Sequence, residues 1–174
     1  MNSACTHADA LRLSEADDIA FLRRAFEVAR RARRHGNHPF GALLVDRDSR
    51  VLVEAENGFL PDRDRTGHAE RLLATQAGKT FDAPTLAAST LYSSAEPCAM
   101  CAGAIYWAGI GRVVYGLGER RLEQITGDHA ENPTLDLPCR AVFAAGQRPT
   151  EVVGPLIEDE AAALHEDFWS RPVR

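Results

Sequence analysis

The sequence lacks the features of several common protein classes. Its 174 residues contain no apolar run near the roughly 20 residues that a membrane-spanning helix needs. The first nine residues are polar and hold no apolar stretch typical of a signal peptide. Cysteine is scarce, with four residues, which excludes a disulfide scaffold. We therefore expect a cytoplasmic protein that does not bind a membrane.

A surplus of basic residues is also missing. Twenty lysines and arginines stand against 25 aspartates and glutamates, which gives a net charge of −5. Proteins that bind nucleic acids usually carry a basic surplus, because phosphate contacts supply much of their affinity. The four arginines between positions 30 and 34 form either a solvated helix face or a phosphate-binding patch. The overall balance favours a small-molecule partner and disfavours nucleic acid.

What the chain does contain is an alternation of helical and strand patterns. Its length suits one domain, and we expect a flexible N-terminal tail at 1–13 and a single domain at 14–174. Strands alternating with helices after an opening strand pair predict an α/β layered domain with a partly parallel central sheet. The patterns predict helices at 14–35, 68–77, 98–108, 119–125, 140–145 and 158–169, and strands at 41–45, 51–55, 90–93, 112–117 and 151–153.

Two short segments carry residues with metal-binding chemistry. Cys98 and Cys101 stand three apart at a predicted helix start, so both sulfurs share one face, and the helix dipole favours thiolates there. Together with the imidazole of His68 they form a ligand set that prefers zinc. Three protein ligands leave the fourth tetrahedral position for water or hydroxide, which is typical of a catalytic zinc site.

Glu70 is the predicted proton carrier of this site. Residues two apart do not share a helix face, but His68 and Glu70 both reach one site if it lies beyond the end of their helix. The alternatives are a redox or structural-zinc Cys-x-x-Cys pair and a solvated His-x-Glu pair. A structural zinc needs a fourth ligand, for which Cys139 is the unassigned cysteine outside the tail. Otherwise Cys5 and Cys139 have no role in the site.

The order His-x-Glu and then Pro-Cys-x-x-Cys is typical of zinc deaminases. On residues 38–42 (HPFGA), 66–70 (TGHAE) and 96–107 (EPCAMCAGAIYW), the sequence resembles the cytidine deaminase-like superfamily, in particular the branch that holds guanine deaminases and tRNA adenosine deaminases. The resemblance implies a three-layer α/β/α fold around a five-stranded mixed sheet. It also implies one Zn²⁺ per chain, held where two helix N-termini converge, and a homodimer.

The resemblance further implies which residues contact the substrate. Asn57 and the backbone N–H of Ala69 are expected to hydrogen-bond the ring, although an Asn-Gly pair is also a common turn. Phe40 and Trp107 match apolar pocket positions, for which core packing is the alternative.

The expected reaction is hydrolytic deamination of a purine base or nucleoside, guanine-like, by zinc-bound hydroxide. The Tyr-Trp pair at 106–107 favours guanine deaminases, whereas residues 110–116 and 160–164 are similar to tRNA adenosine deaminases. Conversion of adenosine to inosine in tRNA is therefore the alternative, and a non-enzymatic zinc module is the third. Asp128 and His129, in the divergent loop 127–138, either select the substrate or form a polar surface turn.

Overall fold

The computed structural model describes residues 13–171. The predicted tail at 1–13, apart from Leu13, and Cys5 within it lie outside the described residues. None of the helices in the described part of the chain is both long and apolar enough to cross a bilayer.

Five strands and seven α-helices make up the described fold. The strands are β1 (Gly41–Val45), β2 (Val51–Glu56), β3 (Thr90–Ala95), β4 (Arg112–Leu117) and β5 (Glu151–Val153). The helices are α1 (Glu15–Arg34), α2 (Ala69–Thr80), α3 (Ala83–Ala87), α4 (Ala99–Ala108), α5 (Glu119–Thr126), α6 (Cys139–Ala144) and α7 (Glu158–Ala162). A 3-10 turn at Ala163–His165 follows α7.

The strands form one mixed sheet in the order β2-β1-β3-β4-β5. Strand β1 is antiparallel to β2 and β3, whereas β3, β4 and β5 are parallel. Alternate residues of β1 face opposite cores: Leu43 packs on the side of α1, and Leu44 packs on the side of α2 and α4. The result is the three-layer α/β/α fold with a five-stranded mixed sheet that the sequence predicts.

Helix α1 begins with a capping box, in which the Ser14 side chain accepts from the Asp17 N–H and the Asp17 carboxylate accepts from the Ser14 N–H. The arginines near its end are engaged within the protein. Arg30 and Arg31 form ion pairs with acidic side chains, and Arg33 donates to the Leu164 carbonyl at 3.0 Å. These contacts favour a structural face over a phosphate-binding patch.

Helix α2 is longer than predicted. It continues past Gly78, the expected end, to Thr80. A glycine inside a helix costs about 1 kcal/mol relative to alanine. Here, however, Gly78 lies where α2 packs closely on α4, since an added Cβ would stand 3.8 Å from that of Ala108. The unpredicted helix α3 follows, capped by the Asp82 side chain, which accepts from the Thr85 N–H at 3.0 Å.

The last helix is shorter than predicted. Instead of continuing to 169, α7 ends at Ala162, and Asp167 has a positive φ of 57°. This turn lets Phe168 and Trp169 pack against the ring of His38 rather than follow a surface helix. Tertiary burial of two large aromatic side chains here overrides local helix propensity.

Candidate active site

The predicted metal ligands meet where α2 and α4 begin. His68 is the N-cap of α2 and Cys98 is the N-cap of α4, while Cys101 lies in the first turn of α4. The Nδ1 atom of His68 lies 3.6 Å from the Sγ atom of each cysteine. All three ligand atoms lie within 4.8 Å of one another, and within residues 13–171 no other such group is found. Two helix N-termini therefore present one imidazole and two sulfurs to a common point.

This spacing fits a tetrahedral zinc ion. Bonds of about 2.3 Å to sulfur and about 2.0–2.1 Å to nitrogen, at a tetrahedral angle, place the two ligand atoms about 3.5–3.6 Å apart. Cys139 is not part of the group. It begins α6, buried, and its N–H donates to Glu96 Oε1 at 3.0 Å. The described residues thus offer three ligands and no fourth, which argues against a closed structural site.

The pKa values of the two cysteine thiols are shifted in opposite directions. A hydrogen bond from the Cys101 thiol lowers the pKa of Cys98 to about 4, with a further contribution from His68. The same contact, together with burial, raises the pKa of Cys101. The contact with Cys98 also raises the pKa of His68. A divalent cation at this point would replace the shared protons, since metals bind thiolate and neutral imidazole.

Glu70 lies beside this group as the second residue of α2, and its side chain is buried. Burial raises the pKa of its carboxyl group. The Ser93 hydroxyl on β3 donates a hydrogen bond to Glu70 Oε1. Since both His68 and Glu70 line the same pocket, the structure agrees with the expectation that they reach one site beyond the helix end.

The pocket above these residues has a volume of about 350 Å³. Its wall includes an ion pair between His38 Nε2 and Glu131 Oε2 at 2.8 Å, in which both side chains are less than 10% exposed (8% and 7%). The remaining wall is mixed polar and apolar. Besides His68, Cys98 and Glu70 it includes Phe40, Asn57, Phe59, Asp64, Arg65, Ala95, Glu96, Met100, Glu119, Leu122, Asn132 and Leu135.

Aromatic residues near the C-terminus pack against His38, which lines this pocket. The Trp169 ring stacks on His38 at 5.5 Å between centroids, with an interplanar angle of 24°. Its Nε1–H donates to Nδ1 of His165 at 3.1 Å, which fixes the indole. Phe168 meets the other side of His38 edge-on. A residue of the pocket wall, His38, is therefore supported by the end of the segment that the sequence predicts as a helix at 158–169.

Asn57 and Phe40 both line the pocket. Asn57 is not in a hairpin turn: it follows β2, is buried, and its Oδ1 accepts from the Phe59 N–H at 3.1 Å. Ala69 is the first residue of α2, and its side chain is buried in the core between the sheet and the helices. Contact of these residues with a substrate stays a prediction.

Three expected substrate contacts do not lie on the pocket wall. Trp107 is 85% exposed, because α4 turns Ile105 toward the core and residues two apart point in different directions. Asp128 is exposed, and His129 packs edge-on against Trp169 with its Nε2 near the Arg171 carbonyl. The neighbouring residues 130–133 line the pocket instead.

Sequence reasoning missed several acidic residues of the wall. Glu96 accepts hydrogen bonds from the backbone N–H groups of Cys139 and Glu119, at 3.0 and 3.2 Å, and so ties two helices to the β3–α4 loop. Burial, with nearby negative groups, raises the pKa of Glu119 to about 7. Glu96 begins the EPCAMC segment that carries two of the metal ligands. No local pattern indicates Glu119 or Glu131, because only the folding of the chain brings them to the pocket.

Comparison with known proteins agrees with this geometry. The family model of the cytidine and deoxycytidylate deaminase zinc-binding region matches residues 15–117. A probable cytosine deaminase of Schizosaccharomyces pombe is 45% identical over 152 residues, which are 87% of this chain and 92% of that protein. A tRNA-specific adenosine deaminase of Haemophilus influenzae is 34% identical over 135 residues, 74% of this chain and 78% of that protein.

Among solved structures, a guanine deaminase from Nitrosomonas europaea superposes with a TM-score of 0.72 and 27% identity. The match covers 98% of this chain and 95% of that chain. The structural similarity therefore extends over nearly the whole length of both chains.

Proposed function

We propose, from the fact that this chain belongs to the family defined by the cytidine and deoxycytidylate deaminase zinc-binding region, that it deaminates a free nucleobase by hydrolysis. The reaction converts an exocyclic amine and water into a ring carbonyl and ammonia. One observation carries the proposal: a pocket of about 350 Å³ is lined by two members of the three-ligand metal group, His68 and Cys98, and by the buried carboxylate of Glu70.

A single zinc ion held by His68, Cys98 and Cys101 fits the donor set and its spacing. When bound, zinc supplies Lewis acidity that lowers the pKa of a water molecule in the open position to about 7. Glu70 takes the proton from that water and delivers it to the ring nitrogen. It would then take the remaining proton from the added hydroxyl and pass it to the amine, so that the C–N bond breaks, the ring carbonyl forms and ammonia leaves. A positioned acid–base group of this kind contributes about 10²–10⁴-fold to the rate.

The chain's other pocket residues orient the base and exclude water. Asn57 keeps its amide N–H₂ group for the ring, because its carbonyl oxygen is occupied by the Phe59 N–H. The backbone N–H of Ala69, at the start of α2, remains our proposed second contact. Phe40 covers the ring with an apolar surface on the side of Trp169.

A free base suits this pocket better than an RNA loop. Trp169 and Phe168 cover the side of the pocket formed by His38. Three of the four arginines that resemble a phosphate-binding patch, Arg30, Arg31 and Arg33, are engaged in contacts within the protein. An RNA strand needs both an open entrance and available cations.

We favour guanine as the base, because the motif residues resemble guanine deaminases and the full-length superposition is with such an enzyme. Cytosine is the second candidate, supported by the 45% identity with a probable cytosine deaminase. Both bases carry the amine next to a ring nitrogen that Glu70 can protonate.

The test is ammonia release from guanine, guanosine, adenine, adenosine, cytosine and a tRNA anticodon stem-loop, each with zinc-loaded protein. Turnover of guanine supports the first candidate, and turnover of cytosine supports the second. Release from the stem-loop alone contradicts a free-base function, and release from no substrate contradicts enzymatic function.

We also propose a homodimer, with the face of α4 that carries Trp107 as the contact. Its indole is 85% exposed, which is unusual for a large aromatic side chain. Light scattering on the native protein and on Trp107→Ser tests this. A native monomer that is fully active contradicts it.

A further inference from the structure

The pocket wall contains five carboxylate side chains, and four of them have partners within the protein. These partners are Thr66 and Arg71 for Asp64, Ser93 for Glu70, two backbone N–H groups for Glu96 and His38 for Glu131. The fifth is Glu119. Within residues 13–171, no hydrogen bond or ion pair reaches its carboxylate.

The fold holds Glu119 in this position. It is the first residue of α5, and its backbone N–H donates to Glu96 Oε2 at 3.2 Å. Glu96 also caps α6, so the start of α5 is fixed relative to the loop that carries Cys98. The carboxylate of Glu119 therefore lines the pocket from a rigid helix end rather than from a loop.

An unpartnered, half-buried carboxylate is costly unless something satisfies it. Four ionisable groups act on Glu119 by charge, and each of them disfavours the ionised form of its carboxyl group: Cys98, Glu96, Glu123 and Asp136. None of them donates a hydrogen bond to it. Because Glu119 lines the pocket, its carboxylate is available to a hydrogen-bond donor on the molecule that occupies it.

We propose that Glu119 is a substrate-binding residue that accepts a hydrogen bond from an N–H group of the base. The inference rests on the proposed function and narrows its substrate class to rings that present an N–H donor besides the reacting amine. Besides its reacting 2-amino group, guanine presents N1–H and an imidazole N–H, and cytosine presents N1–H besides its reacting amine. A carboxylate oxygen accepts such an N–H hydrogen bond, and its charge strengthens the bond.

The experiment measures binding without turnover. Two zinc-loaded proteins are titrated by calorimetry with 8-azaguanine and with cytosine. The parent carries Glu70→Gln, and the test protein carries Glu70→Gln together with Glu119→Gln. The matched control is Glu123→Gln in the same background, because Glu123 is an exposed residue one turn along the same helix. Zinc content and melting temperature are recorded for every variant.

We expect Glu119→Gln to raise the Kd of the bound base by roughly tenfold, the difference between a charged and a neutral hydrogen bond. Zinc content should be the same in all variants, and Glu123→Gln should leave the Kd unchanged. A Kd within twofold of the parent overturns the inference, as does absence of binding of both bases to the parent. Normal binding with no ammonia release from native protein would instead contradict the proposed function alone.

Discussion

The Gly58 backbone N–H donates to the Gly67 carbonyl at 2.7 Å, and this bond ties the loop of Asn57 to the residue that precedes His68. A Cβ atom on Gly67 would stand 2.7 Å from the Gly58 carbonyl oxygen and 3.0 Å from that of Asp64. Both contacts are with backbone, so no side chain can move aside. The relative position of the proposed substrate amide and the metal ligand therefore requires glycine here.

Gly67→Ala should separate this loop from α2. We expect the KM for the base to rise and zinc affinity to fall, each by about tenfold or more, because overpacking typically costs about 1–3 kcal/mol. Gly103→Ala is the control, since nothing lies within 4 Å of an added Cβ there. Steady-state kinetics and zinc titration measure both effects. Equal behaviour of the two variants would mean that the loop contact is unimportant.

Glu70→Gln should retain zinc but lose about 10²–10⁴-fold in kcat, because the amide cannot accept and return a proton. The side chain keeps its size and can still accept from the Ser93 hydroxyl. Metal analysis and ammonia release provide the measurement. A variant that retains native turnover would exclude Glu70 as the proton carrier.

Ser93→Ala should lower kcat by roughly tenfold, because it removes the hydrogen bond that orients the Glu70 carboxylate. Its neighbour provides the control: the Ser94 hydroxyl accepts from the Gly41 N–H at 3.1 Å and does not contact Glu70. Ser94→Ala should lower the melting temperature and leave kcat nearly unchanged. If both variants lose kcat equally, Ser93 has no specific role.

His165 should make stability depend on pH. Burial, aided by the charge of Arg33, lowers its pKa to about 3 in the folded state, whereas the unfolded value is about 6.5. Between these values the unfolded chain binds the extra proton, so stability falls as pH falls. From pH 7 to pH 5 this group alone should cost about 2 kcal/mol.

Urea unfolding at both pH values, compared between native protein and His165→Asn, measures this contribution. Asparagine offers the Trp169 N–H an acceptor but does not titrate. The variant should lose about 2 kcal/mol less than the native protein between pH 7 and pH 5. An identical loss in both proteins would show that His165 becomes protonated without unfolding.

The metal group and the fold could be predicted from sequence because their signals are local or periodic. His68, Cys98 and Cys101 stand in short segments whose residue types and spacing already suit a zinc site, and the strand and helix periods identify the layers. The Ser14 cap likewise follows from residues three apart. Such features need no knowledge of which segments meet in space.

The pocket wall could not be predicted in the same way. The pair of His38 and Glu131 joins residues 93 positions apart, and although His38 begins the HPFGA motif, no local pattern indicates Glu131 as its partner. The aromatic C-terminus has a helical pattern, yet burial of Trp169 against His38 decides its conformation. Trp107 matches a family motif, but its direction on α4 places it outside the pocket.

Zinc titration of the metal-free protein, followed by ammonia release from the base that the native enzyme deaminates, is the most direct measurement. We predict that activity rises linearly and reaches its plateau at one zinc per chain, and that Cys101→Ser abolishes this response. Full activity in the metal-free protein, or a plateau unaffected by Cys101→Ser, would contradict the proposal that His68, Cys98 and Cys101 hold the catalytic metal.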